Sequence, residues 1–161
     1  MSRAIAIDYT AALEQGGGIG RYTRELIAAL ARQDAQTDYL LFAAGQSAAT
    51  LPTPPGVNFA WRPTRLDAEW LARIWHRARL PIHIERWTGP IGLFHAPDFT
   101  LPPTRKGTRT ILTVHDLSFV RAPETATPGL RAYLNSVVPR SAARADRVLA
   151  DSEATRQDLI D

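Results

Sequence analysis

Residues 3–30 read RAIAIDYTAALEQGGGIGRYTRELIAAL, and the change of period inside this stretch decides the fold. The opening RAIAID alternates into an apolar run that ends on an acid, the pattern of a buried strand. A loop with three consecutive glycines follows. From Ile19 the apolar positions are Ile19, Tyr22, Leu26, Ile27 and Leu30, with Arg21, Arg24, Glu25 and Arg32 on the opposite face. That spacing predicts an amphipathic helix.

The alternation continues along the chain. Residues 38–43 (DYLLFA) and 57–61 read as a second and third strand, separated by a Ser-, Thr-, Pro- and Gly-rich loop over 45–56. Residues 66–79 are helical by pattern. Leu66, Trp70 and Ile74, with Leu71 and Trp75 beside them, make one broad apolar stripe, and Pro81 ends the helix. Residues 91–95 (IGLFH) and 109–114 (RTILTV) give strands four and five. Thr127 followed by Pro128 is a capping hydroxyl and then Pro at the first helical position. That helix runs towards Arg144, with Pro139 expected to kink or split it. Residues 147–150 form a sixth strand, and Ser152 caps a last helix. Strands alternating with helices predict an α/β, Rossmann-like three-layer sandwich with a mostly parallel sheet.

At 161 residues the chain suits one domain with a real core. There is no cysteine, so disulfides, thiolate nucleophiles and Cys-based zinc sites are excluded. The four histidines form no HExxH-like pair, and no metal is expected. No apolar run approaches the roughly 20 residues that span a bilayer, and the start lacks a signal-peptide pattern, so the expected location is cytoplasmic. The net charge of +3 is concentrated. Residues 61–87 hold six of the arginines against Asp67, Glu69 and Glu85, together with all four tryptophans. Tryptophan favours the bilayer interface and basic residues favour anionic lipid, so this segment is a candidate for peripheral contact with the inner face of a membrane. An apolar stripe packed on the sheet explains the same residues differently. A pI near 9.8 with no recognisable motif does not make a nucleic-acid binder.

Three constellations fall where an open parallel sheet holds its ligands, beyond the strand carboxyl ends. Gly16, Gly17, Gly18 and Ile19 sit between strand one and helix one. Glycines let backbone approach an anion, and a helix start offers free N–H groups. A flexible surface loop is the other reading. A dinucleotide fingerprint fails, because Arg21 or Thr23 stands where its closing Gly or Ala belongs. A phosphate-loop NTPase fails too, because there is no Lys before Lys106. The second constellation is Thr113-Val114-His115-Asp116-Leu117, where the adjacent carboxylate is expected to orient His115. The third is His95-Ala96-Pro97-Asp98, either a cleft-edge site or a turn stabilised by Asp98.

These pieces, as IAIDYTAALEQGGGIGRYTRELIAAL, LFHAPDFTLPP, TILTVHDLSFVRAPE and ARADRVLADSEATRQDL, resemble the family four retaining glycosyltransferases of GT-B fold, which include bacterial mannosyl- and glucosyltransferases. The resemblance runs over nearly the whole chain. It implies a seven-stranded amino-terminal domain that faces a second, nucleotide-binding domain carrying an E-x7-E motif. No such motif is present, and the final helix stops at Asp161 without a stop signal, so the chain reads as the acceptor-side half of the enzyme. The resemblance puts the Gly16–18 loop and Ile19 against the donor diphosphate. It puts His115 at the donor sugar near its 6-hydroxyl, and His115 and Asp116 are the expected catalytic residues. It assigns the acceptor to the 9–15 and 96–107 loops, and the expected acceptor-binding residues are Tyr9, His95 and Asp98. The whole enzyme would move a hexose, mannose or glucose, from a nucleotide diphosphate sugar to a glycan or lipid-linked acceptor with retention, without a cofactor. Another class of function fits the same fold: a non-catalytic Rossmann-like module that binds a nucleotide or a protein partner.

Overall fold

In the computed structural model, which describes residues 4–160, six strands are present: β1 (Ile5–Asp8), β2 (Tyr39–Ala43), β3 (Phe59–Pro63), β4 (Leu93–Ala96), β5 (Arg109–Val114) and β6 (Arg147–Ala150). They form one sheet in the order β3-β2-β1-β4-β5-β6, and every pairing is parallel. Among the described residues the sheet has six strands rather than the seven implied by the family resemblance. The outer edge strand, β6, leaves Val148 and Leu149 exposed. The start of the predicted first strand, residue 3, lies outside the described residues.

The strand period sorts side chains onto two faces. Ala6, Leu40, Phe42, Phe94, Leu112 and Val114 join one apolar cluster. Ile7, Tyr39, Leu41 and Phe59 join the other, against Ile27 and Leu30 of α2 (Gly18–Gln33). The larger cluster is closed by Leu71 of α3 (Ala68–Ala72), by Trp75, and by Val138 of α6 (Pro128–Arg144). Helices therefore cover both faces, as a parallel sheet requires.

Four local departures from the sequence reading have physical causes. The 9–15 stretch is not all loop: α1 (Thr10–Glu14) is a single helical turn, with the Thr10 N–H bonded to Asp8 Oδ1 at 2.9 Å. The third strand starts at Phe59 rather than at residue 57, because Val57 is fully exposed. The helix over 66–79 begins at Ala68, capped by Asp67, and widens into a π-helical turn over Arg73–Arg77, where the Ala78 N–H reaches the Arg73 carbonyl. The predicted stripe is divided. Leu71 and Trp75 are buried, while Leu66 is 38% and Trp70 53% exposed. Finally, α6 continues through Pro139, which is exposed, because Val137, Val138 and Ser141 bury the opposite side. The caps at Thr127 and Ser152 are as read: their hydroxyls accept from the N–H groups of Leu130 and Thr155 at 3.3 and 3.1 Å. The remaining helices are α4 (Glu85–Thr88), α5 (Ser118–Arg121) and α7 (Glu153–Ile160).

Candidate active site

The strand order reverses direction between β1 and β4, and ligands of open α/β sheets bind beyond the strand carboxyl ends at such a point. Asp8 ends β1, and Pro97, Asp98 and Phe99 follow β4. A cavity of about 430 Å³ opens between them, lined by Asp8, Glu14, Gln15, His76, Asp98 and Tyr133 over an apolar floor that includes Phe42 and Trp75. Among the described residues no Lys or Arg lines it.

Its carboxyl groups resist ionisation. Burial pushes Asp8 up to about 6; the bonds from Thr10 oppose this, while the charges of Asp98 and Glu14 add to it. Burial also raises Asp98, against the pull of His115 and Gln15. Glu14 is raised by burial and then by Asp67. On the far wall His76 is held down to about 4 by burial, then by Arg144 and Arg140, so it is neutral near pH 7. A cavity of this kind offers hydrogen-bond acceptors to hydroxyl groups and repels anions.

His115, at the end of β5, is held on four sides. Its Nδ1 lies 2.8 Å from Asp151 Oδ2 and its Nε2 2.8 Å from the Pro97 carbonyl oxygen. Tyr22 and Phe99 meet its ring edge to face at 5.0 and 5.8 Å. Both polar partners can only accept while Asp151 is ionised, so both are satisfied when both ring nitrogens carry protons. Phe99 has φ of 44°, a strained value for a residue with a β-carbon, in the turn that supplies the Pro97 carbonyl and Asp98.

The glycine loop leads directly into α2. The helix opens with no side-chain cap and no acid in its first turn. Its first N–H groups are therefore left for another acceptor. A β-carbon at Gly16, Gly17 or Gly18 would meet nothing within 4 Å. The protein itself leaves that space open. Gly20 is different: a β-carbon there would collide with the Gln15 carbonyl oxygen and lie 2.8 Å from that of Ala11. Arg24 fixes the loop from behind, donating to the carbonyls of Ala12 and Gln15 at 2.7 and 3.0 Å.

Gly16, Gly17, Gly18, Ile19, His115 and Asp98 thus lie along one edge of the sheet, with Ile19 also lining the cavity. Three other expected residues do not meet there as read. Asp116 does not orient His115; it is exposed and its Oδ1 accepts from the Ser118 N–H at 2.8 Å, starting α5. The orienting carboxylate is Asp151, 36 residues along, which the adjacency argument could not reach. His95 is 7% exposed and bonded to Thr113 Oγ1 at 2.9 Å, and it does not line the cavity. Tyr9 turns away to the other face, edge-on to Trp61 at 5.2 Å. Sequence reasoning also passed over Asp8, Gln15 and Tyr133. Asp8 had a signal, being the acid on which a central strand ends; Tyr133 had none, since only tertiary packing brings α6 to the cavity.

The structure thus presents a Rossmann-like parallel sheet with an uncapped, glycine-led helix start and an oriented histidine at the carboxyl ends of its strands. The sequence profile of Glycosyltransferase Family 4 matches residues 16–161, and the chain belongs to that family. It carries the amino-terminal-type domain of these glycosyltransferases. Comparison with curated proteins and with solved structures finds no match. Among the described residues no helix is long and apolar enough to cross a membrane.

Proposed function

We propose that this chain forms the acceptor-side half of a hexosyltransferase that takes mannose or glucose from a nucleotide diphosphate sugar, with retention, and passes it to a glycan or lipid-linked hydroxyl. A second domain supplies the nucleotide site. The observation that carries this reading is the uncapped start of α2 beside His115. As the glycosidic bond breaks, charge develops on the departing diphosphate. N–H groups already aimed at that position lower the barrier without reorganising. His115 reaches the sugar by exchanging the Nε2 contact with the Pro97 carbonyl for one with a sugar hydroxyl, while Asp151 keeps hold of Nδ1. Asp8 and Asp98 accept hydrogen bonds from the incoming acceptor hydroxyl, and burial raises the basicity of both.

Peripheral membrane contact at the cytoplasmic face belongs to the same reading, on a smaller surface than the whole 61–87 segment. Trp75 and Trp87 pack against the core and Trp61 donates to the Pro52 carbonyl, which leaves Trp70, with Arg73 4.9 Å over its ring, to meet lipid. Co-sedimentation with anionic vesicles that weakens with salt supports this contact; indifference to such vesicles at low salt removes it.

The central test is sugar transfer. Residues 1–161 alone should not turn over a nucleotide sugar, while the chain joined to its nucleotide-binding domain should. In the joined protein, His115→Gln should lower kcat by about 10²-fold, the order seen when one preorganised donor is lost, with melting temperature within a few degrees. Transfer by residues 1–161 alone, or a His115→Gln enzyme with normal kcat, would overturn the assignment.

A further inference from the structure

Behind the wall formed by Trp75 and His76 lies a second groove of about 600 Å³. Arg79, Leu80 and Pro81 line one side, and Val137, Arg140 and Arg144 of α6 the other. Its charge is of one sign. No acidic residue lines it, and none of the three arginines forms an ion pair among the described residues.

Their donors are only partly used. Arg144 uses Nη2 for the carbonyls of Leu101 and Pro102, at 3.0 and 2.7 Å. Arg140 uses Nε and Nη2 for Ser136, at 2.6 and 2.9 Å. The other guanidinium N–H groups, including all of those on Arg79, have no protein partner among the described residues. Crowding of like charge registers in the neighbours. Burial and then Arg140 hold Arg144 below the usual arginine range, and the same two arginines help keep His76 neutral. Arg79 also holds a φ of 53°, one of two non-glycine residues with positive φ among the described residues. Backbone strain of this kind persists where surrounding structure enforces it, and it clusters at binding sites. The rest of the lining is mostly apolar, with Trp75, Pro81, Leu101 and Val137 inside and Leu80 45% exposed at the mouth, and its other polar side chains, His76, Thr104 and Ser141, carry no negative charge.

We propose that this groove binds an amphiphilic organic phosphate, its phosphate on Arg79, Arg140 and Arg144 and its apolar chain leaving along Leu80 and Pro81. Guanidinium forks match phosphate oxygens in geometry as well as charge. Inorganic phosphate would leave the apolar wall uncovered. A neutral lipid would leave three like charges unmatched. The volume falls within the range of small-molecule sites, enough for a head group and several methylenes. The inference stands independently of the transferase reading, since the groove lies outside the carboxylate cavity.

The test titrates the chain with octyl phosphate, octanol and inorganic phosphate, following backbone amide NMR shifts at Leu80, Val137 and Arg144. Octyl phosphate should shift these amides and bind at least ten-fold more tightly than either other probe. Arg140→Gln should weaken it at least five-fold, with partial recovery in Arg140→Lys. Arg79→Gly should weaken it similarly while keeping or raising the melting temperature, because glycine accepts the positive φ. That variant keeps the test decisive if changes in α6 disturb folding. Octanol binding as tightly would show a greasy slot only, and inorganic phosphate binding as tightly would show a plain anion site. Either result overturns the proposal, as does affinity unchanged in both variants or no groove shift with any probe.

Discussion

Tyr22, in the first turns of α2, meets the ring of His115 edge to face with centroids 5.0 Å apart. That contact ties the helix whose start faces the proposed diphosphate to the histidine at the end of β5. Tyr22 is a positioning residue by this argument. Tyr22→Leu keeps apolar cover but loses the edge-to-face geometry, worth about 0.5–1.5 kcal/mol. The expected result is a lower kcat with KM for the donor little changed, and a small loss of melting temperature. A rise in donor KM at constant kcat would show instead that Tyr22 touches the donor itself.

Asp151→Asn should act on the same histidine from the other side. An amide oxygen can still accept from Nδ1, but the bond is no longer charge-assisted and the amide can also turn its NH2 towards the ring, so the imidazole is held less firmly. Transfer activity should fall and the His115 ring NMR signals should shift and broaden as the ring loses its fixed partner. Asp116→Asn, whose oxygen still receives the Ser118 N–H, should leave both readouts near those of the parent. Equal effects from the two variants would restore the adjacent acid as the orienting group.

The glycines separate by mechanism. Gly17→Ala meets no atom and should leave stability unchanged or raise it by about 0.4–1 kcal/mol through the unfolded chain, while donor binding weakens. Gly20→Ala drives a methyl group into the backbone of α1 and should cost on the order of 2–4 kcal/mol. Thermal melts of the two variants decide this. Similar losses in both would mean that the loop glycines serve the fold rather than a ligand.

Most of the fold is legible in the sequence because strand runs such as YLLFA and the ILTV of β5 are nearly all apolar, as strands covered on both faces must be. The caps at Thr127 and Ser152 are legible for the same local reason. The site is legible only where it follows the chain. Gly16–18 and His115 sit directly after strands or before a helix, so position alone finds them. Asp151, Tyr22 and Tyr133 arrive through packing, over separations that no local pattern encodes. His95 misled because a strand-end histidine looks the same from sequence whether it faces a cleft or bonds Thr113 inside the sheet. The stripe over 66–79 misled because Leu66 precedes the helix, which starts at Ala68, and because Trp70 and Trp75, five positions apart, point too far apart round a helix to share one buried face.

Asp8 gives a stability signature of opposite sign to ordinary acid denaturation. Its folded pKa of about 6 lies above the unfolded 3.8, so the folded protein holds the extra proton between these values. Its contribution is most favourable below about pH 4 and is lost as pH rises through about 6. Asp8→Asn keeps an oxygen for the Thr10 N–H and removes the charge. It should raise stability at pH 7.5, by on the order of 2 kcal/mol, and change little at pH 4. Acceptor binding should weaken in the same variant, the pattern of a group held at a cost for function. Lower stability at pH 7.5 would mark Asp8 as structural.

His95 should produce the opposite slope. Its folded pKa of about 4, set by burial and then by the charge of His115, lies below the unfolded 6.5, so here the unfolded chain binds the extra proton. The contribution is fully present above about pH 6.5 and is lost as pH falls towards 4. His95→Gln retains a partner for Thr113 Oγ1 and cannot be protonated. At pH 7.5 it should therefore lie within about 1 kcal/mol of the parent, a typical cost for repacking one buried polar side chain. At pH 5 it should be the more stable of the two. The comparison belongs in an Asp8→Asn background, where the opposing titration no longer masks the slope over the same pH range. His76 titrates in the same direction and remains in both proteins, so its contribution cancels in the difference. Denaturant melts at pH 5, 6 and 7.5 give the curves. Curves that run parallel would mean that His95 charges as readily in the folded protein as in the unfolded chain, and the buried, neutral pairing with Thr113 would have to be abandoned.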